Sequence, residues 1–349
     1  MGSTHTKVVE KKVVINFVKV EAPAPLPPPT PMKVEAPAPL LKVEAPAPLP
    51  PPTPIEFPAL LPPPSPSTVF DKPWREIDWG NNAKLLKELW EYKPQNEDVR
   101  HIRVLVYGPV GAGKSSFINS ITTALLGRMA IPAAVNNAQS DEGSFTVQYQ
   151  THRIRKRKRR LRDSRTHYPV VFNDIMGLES DQNVGVRAED IKLAMMGHVK
   201  EGYKFNSMTS ISPSDPYYNP HPKPDDKVHV LVLLLSANCP ETDSSVIQKM
   251  KEVRQTARDL GIPQIAIGTH IDEICDEIEK DVKNVYKSKS LKTKMEMFSG
   301  EVGIPLNCIM ALKNYSGAEM KNSPDMDTLI LTALKHMVDF GDDFIEEMS

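Results

Sequence analysis

The stretch GPVGAGKSS at 108–116 holds the residues with the clearest chemical purpose. Its pattern, Gly108-x4-Gly113-Lys114-Ser115, lets a glycine-rich turn point successive main-chain N–H groups inward around phosphate oxygens. Lys114 then reaches the β- and γ-phosphates, and the Ser115 hydroxyl can ligate Mg2+. The expected phosphate-binding segment is Gly108, Val110, Gly111, Ala112, Gly113, Lys114, Ser115 and Ser116. Val110 carries bulk where the third residue of the turn faces the γ-phosphate.

Such a turn works only between a strand and a helix. IRVLVY at 102–107 is a short, branched apolar run that reads as a buried parallel strand. FINSITTALLG follows, with Phe117, Ile121 and Leu125 at helical spacing and Gly127 as a stop. A second run, YPVVF at 168–172, ends in Asn173-Asp174-Ile175-Met176-Gly177, a DxxG sequence. A carboxylate there can hold Mg2+ through water, and Gly177 can turn its amide to the γ-phosphate. Lys114, Ser115, Asp174 and Gly177 are thus the residues expected to act on the γ-phosphate, with Ser115 and Asp174 holding the metal. Leu178 follows directly, where small GTPases place a glutamine that orients the attacking water. Leucine cannot do so, and slow or partner-dependent hydrolysis is expected. The threonine of a first switch has three candidates, Ser140, Ser144 and Thr146.

A third strand, QIAIG at 264–268, runs into Thr269-His270-Ile271-Asp272. A carboxylate at this place accepts from N1–H and the exocyclic amine of guanine, which adenine does not offer, so Asp272 favours GTP and GDP over ATP. His270 stands where a lysine usually covers the purine face. Asp272 has a second reading, as N-cap of the DEICDEIEK segment that follows. Asn314 lies after a further strand, Cys308 to Leu312, in the loop expected to close over the base.

Taken together, PWREIDW (73–79), GPVGAGKSSFINSI (108–121), DIMGLE (174–179), YKFNSM (203–208), THID (269–272), NYS (314–316) and the ending DDFIEE resemble the interferon-induced protein 44-like family of P-loop proteins. The resemblance begins at Asp71 and covers about four fifths of the chain. It implies a cytoplasmic guanine-nucleotide-binding protein of the interferon-induced antiviral response. Several relatives carry a TLDc-type domain in front, where this chain has a proline-repeat arm.

Composition divides the 349 residues in two, because 19 of the 33 prolines fall between Glu21 and Phe70. KVEAPAPL recurs from Lys19, Lys33 and Lys42. Proline fixes φ and removes the amide donor, so residues 1–70 are expected to form a disordered, polyproline-II-like arm. Pro28-x-x-Pro31 before Lys33 has SH3-ligand spacing, although a plain spacer is the better reading, because low-complexity proline tracts are far more common than ligands. Residues 71–349 have ordinary composition and suffice for one P-loop domain, a three-layer α/β GTPase-like fold. Parallel strands are expected at 102, 228, 264 and 308, with an antiparallel partner near 145.

Arg153 to Arg165 contains nine basic residues and one acid. Read as the tip of a hairpin, it is either a solvated turn or a patch for nucleic acid or anionic lipid. The net charge of -1 speaks against a polyanion partner for the chain as a whole. Asp325 to Glu347 shows an apolar face suited to packing on a sheet. Three scattered cysteines suit a reducing compartment, and no apolar run is long enough to span a bilayer. Two functions from different classes fit: a guanine-nucleotide switch, with self-association as one means of stimulating turnover, and a nucleotide-stabilised scaffold that never turns over.

Overall fold

A computed structural model describes residues 67–133, 148–156, 166–175, 177–180, 185–239, 243–316 and 322–348. The proline arm through residue 66, the candidate switch hydroxyls at 140, 144 and 146, and the basic stretch 157–165 lie outside the described residues. The described residues belong to one compact unit, Pro64–Ser349. They attach to it slightly before Asp71: Val69 bridges Ser288, and the Phe70 N–H donates to Lys287 O at 2.8 Å.

Six strands form one sheet: β1 (Ile102–Tyr107), β2 (Gln150–Arg155), β3 (His167–Asp174), β4 (Val230–Ser236), β5 (Gln264–Thr269) and β6 (Ile309–Ala311). Their order is β2-β3-β1-β4-β5-β6. All neighbours run parallel except β2, which is antiparallel to β3. The hydrophobic runs of β1 and β4 need both faces covered, and both strands are buried almost throughout. Among the described residues the antiparallel partner runs from Gln150, with Gln148 in an isolated bridge to Lys204, and position 145 lies outside them.

Helices α1 (Asn82–Glu91), α2 (Lys114–Leu126) and α7 (Pro324–Glu347) pack together on one face. On the other lie α3 (Ala188–Met195), α4 (Ser244–Asp259) and α6 (Lys289–Val302), while α5 (Asp276–Lys280) is a short turn of helix. The chain leaves β1 for β3 on one side, then crosses to β4 on the other. That reversal opens a crevice at the carboxyl end of β1, where α/β sheets bind ligands.

The sequence places the basic residues at 153–165 together on a hairpin tip, and the structure corrects this at its near end. Arg153 and Arg155 belong to β2, and Lys156 is only 7 % exposed. Its ammonium donates to Trp90 O at 2.5 Å and sits 4.8 Å from the Trp90 ring centroid. A cation between aromatic faces keeps favourable electrostatics as it loses water. His229, directly before β4, is fully buried as a neutral ring, with burial pushing its pKa down to about 4. Its Nδ1 accepts from the Arg103 N–H at 2.9 Å and its Nε2 lies 3.0 Å from Pro224 O, which ties the long 203–226 segment to the sheet.

α7 comes close to the sheet at Gly341, where an added Cβ would lie 2.6 Å from Ile102 Cγ2 and 3.0 Å from Val230 Cγ2. Alanine gains about 0.5–1 kcal/mol in helix propensity over glycine, whereas overpacking a tight core costs about 1–3 kcal/mol. Gly341→Ala is therefore expected to lower the denaturant midpoint at unchanged slope, and a higher midpoint would contradict the close approach.

Candidate functional site

The crevice is built from loops that follow β1, β3, β5 and β6. At Gly108 an added Cβ would lie 2.2 Å from Leu234 O, so only glycine lets the chain turn from β1 across the end of β4. Gly113 caps α2 with φ at 82°, and the Phe117 N–H donates to Gly113 O at 2.8 Å as the helix begins. The first N–H groups of a helix lack intrahelical partners and carry its positive dipole end, which aims α2 at an anion.

Lys114 stands on the first turn, 7 % exposed, and its ammonium donates to Gly108 O at 3.1 Å and Pro109 O at 2.9 Å. Burial lowers its pKa from 10.5 to about 8, opposed by the charges of Asp174 and Glu179. Register pairs Asp174 with Val106, which puts the carboxylate at the level where β1 ends. There the Ser115 hydroxyl donates to Asp174 Oδ2 at 2.8 Å. The two residues expected to share a metal are thus in direct contact. Among the described residues no cluster of three His, Cys, Asp or Glu groups has metal-binding geometry.

The DxxG segment lies against the glycine-rich loop. The Leu178 N–H donates to Gly108 O at 3.0 Å, and Leu178 O accepts from the Val110 N–H at 3.3 Å, a two-residue parallel bridge. At Gly177 an added Cβ would lie 2.6 Å from Val110 Cγ2 and 3.0 Å from Val110 N, so a side chain there would press on the glycine-rich loop. Leu178 is 2 % exposed, while Val110 is 43 % exposed. Beyond the bridge, the Lys249 ammonium donates to Glu179 O at 2.7 Å and the Ser245 hydroxyl to Ser180 O at 3.1 Å. The segment is therefore fastened to the loop on one side and to α4 on the other. Met176 lies outside the described residues.

Three residues from β5 and β6 meet this loop from across the crevice. The buried Thr269 hydroxyl lies 2.9 Å from Ala112 O and 3.2 Å from Leu235 O. His270 takes φ of 54°, the sole positive value of a non-glycine among the described residues, and its Nδ1 is 3.0 Å from Thr269 Oγ1. Asn314 donates from Nδ2 to Gly113 O at 3.2 Å, while its buried Oδ1 has no partner among the described residues. A Cβ on Gly113 would meet Asn314 Nδ2 at 2.8 Å, His270 Cε1 at 3.6 Å and Thr269 Oγ1 at 3.7 Å, so the predicted phosphate and base segments converge on one backbone position.

Of the two readings of Asp272, the structure does not realise the N-cap. Asp272 sits inside a 3-10 turn, Ile271–Glu273, and α5 starts only at Asp276 with Cys275 at the capping position. Its carboxylate instead pairs with Lys313, Oδ2 to Nζ 3.2 Å. Lys313 carries no motif and was invisible to spacing arguments. Pairing of β6 with β5 brings it there, with Gly268 opposite Ala311 and the Leu312 N–H donating to Gly268 O at 3.0 Å.

Over 268 residues, 76 % of this chain, the sequence is 32 % identical to interferon-induced protein 44 of Mus musculus. It is 31 % identical over 265 residues to interferon-induced protein 44 of Homo sapiens, and 29 % identical over 266 residues to human interferon-induced protein 44-like. The matches cover 61 % of the murine protein and 57 % of each human one, so the chain spans about three fifths of the length of these curated relatives. No family model matches it. A crystal structure of Toc33 from Arabidopsis thaliana in complex with Mg2+ and GMPPNP aligns at 15 % identity with a TM-score of 0.42, covering 75 % of this chain and 91 % of that one.

The titration of Lys114 gives a direct test of the loop. Phosphate oxygens beside the ammonium favour its charged form and raise its pKa, so binding takes up a proton wherever the pH exceeds about 8. Affinity for a nucleoside triphosphate should be greatest below pH 8 and fall as pH rises toward 10.5. Calorimetry across that range checks this, and Lys114→Met should bind weakly without the same pH dependence.

Proposed function

Over the region it shares with those relatives the chain belongs to the interferon-induced protein 44 family, and from that premise and the crevice geometry we propose that it binds GTP and GDP with Mg2+. The reading makes it a guanine-nucleotide switch of the interferon-induced immune response, cytoplasmic and with slow or partner-dependent hydrolysis. The observation that carries it is the convergence of Lys114, the Ser115–Asp174 pair, Thr269, His270 and Asn314 around the start of α2. No simple glycine turn requires a buried ammonium, a buried carboxylate and an unpaired amide oxygen in one crevice.

The residues present fit the cofactor. Mg2+ in nucleotide sites keeps several waters and takes few protein ligands beside the phosphates, and one hydroxyl with one carboxylate matches that habit. Ser115 and Asp174 would hold the ion, Lys114 would meet the β- and γ-phosphates, and the main chain of 108–116 would surround them. When bound, the metal neutralises charge developing on the transferred phosphoryl group. Asp272 would accept from guanine, and His270 would lie along the base.

The bridge between Leu178 and the loop bears on turnover. The Val110 N–H already has a partner in Leu178 O, so a γ-phosphate calling on that amide must first displace the DxxG segment. A diphosphate need not. This makes the segment around 177 responsive to the γ-phosphate, while Leu178 has no group with which to orient water. The same feature favours the second reading, a scaffold that binds nucleotide and does not hydrolyse it.

Competitive titration of GTP, GDP, ATP and XTP tests the binding proposal. Lys114→Ala should cost at least about 1.5–3 kcal/mol of triphosphate binding, the range for a bond to a charged group. Asp272→Asn should move preference toward XTP, whereas an unchanged order would remove guanine recognition from Asp272.

Single-turnover hydrolysis separates the two functional readings. A switch should release phosphate at or below about 10⁻³ per second alone, the intrinsic range of unstimulated GTPases, and faster at high protein concentration or with a partner. A scaffold should release none under any of these conditions.

A further inference from the structure

We propose that Lys313 is a second base-reading residue, donating to the 6-oxo oxygen of the purine while Asp272 accepts from N1–H. The inference rests on the guanine-nucleotide reading and assigns to that site a residue outside every recognised motif.

The Lys313 ammonium and the Asp272 carboxylate stand 3.2 Å apart, with side chains 27 % and 23 % exposed. Each comes from a different strand end, and each is held from below. Asp272 follows the Thr269–His270 turn, which Thr269 fastens to Ala112 O. Lys313 is flanked by Leu312, whose N–H donates to Gly268 O, and by Asn314 and Tyr315. Asn314 donates to Gly113 O, and the Tyr315 N–H donates to Ser120 Oγ at 2.9 Å. The backbone on both sides of Lys313 is therefore fixed to the sheet and to α2, so the ion pair is presented by anchored chain.

The pair offers an acceptor beside a donor. Guanine carries on that edge an N1–H donor beside the O6 acceptor, while adenine carries an N1 acceptor beside an N6 donor. Guanine matches both groups, and adenine opposes both. An ammonium has three N–H donors and can serve Asp272 and a second acceptor together. A polar site of this kind discriminates strongly, because the wrong partner leaves partly buried charged groups unmatched. His270 occupies the position where a lysine is usual, and the cation beside Asp272 comes instead from the segment that follows β6.

The test uses the full chain and base analogues. Wild type, Lys313→Met and Lys313→Arg are titrated with GTP, ITP, 6-thio-GTP, which keeps N1–H and the 2-amino group but carries a weakly accepting sulfur in place of the 6-oxo oxygen, and ATP, with thermal melting as a check on folding. The expected result is a loss of about tenfold or more for GTP and ITP in Lys313→Met, as for one charge-assisted bond. Binding of 6-thio-GTP should hold within about twofold in Lys313→Met, since its sulfur accepts little from the ammonium, and Lys313→Arg should retain preference for GTP over that analogue. An equal loss for GTP and the analogue in Lys313→Met would overturn the proposal and leave Lys313 a structural partner of Asp272; so would unchanged GTP binding. Wild type that fails to prefer GTP over ATP would defeat base reading at Asp272 itself, an outcome visible before any variant is made.

Discussion

Everything in the crevice depends on keeping one ammonium ion out of water. Lys114 is buried at the start of α2, and among the described residues two main-chain carbonyls, Gly108 O and Pro109 O, accept its protons directly. Desolvation pulls its pKa down, so in isolation this arrangement is costly to the fold. A polyphosphate turns the same burial into an advantage, since charge attraction strengthens as water is excluded. The glycines at 108 and 113 exist to bring carbonyls and amides close enough for this, and the sheet order exists to leave the crevice open at that point.

Local chemistry made the strand, glycine turn and helix around Lys114 legible. Glycine spacing, the lysine and the flanking strand and helix are all short-range features, and each is fixed by what the backbone can do there. Asp174 was readable because its strand is apolar and ends at a carboxylate. The helix at 324–347 was readable because its apolar face repeats with helical spacing.

What could not be read depends on residues brought together from afar. Lys156 looked like one more charge in a basic stretch, yet Trp90, 66 positions away, and Tyr168 on the paired strand enclose it. The partner of Asp272 follows from β5–β6 pairing, and sequence spacing cannot supply a partner 41 positions away at Lys313. His229 is a neutral acceptor for the Arg103 N–H, a partner 126 positions away that no local pattern announces. The clamp of Leu178 on Gly108 and Val110 arises because β3 and β1 end at the same level.

Tyr315 joins two distant parts of the molecule. Its N–H is bound to Ser120 on α2, while its hydroxyl lies 2.9 Å from Asp327 Oδ1 and accepts from the Ser323 N–H at 2.8 Å, at the cap of α7. One aromatic ring thus acts as a rigid strut between the loop beside Asn314 and the root of a 24-residue helix. A shift of the first turn of α7 would therefore bear on the loop beside Asn314 through this ring, in parallel with the packing of α7 on β1 and β4.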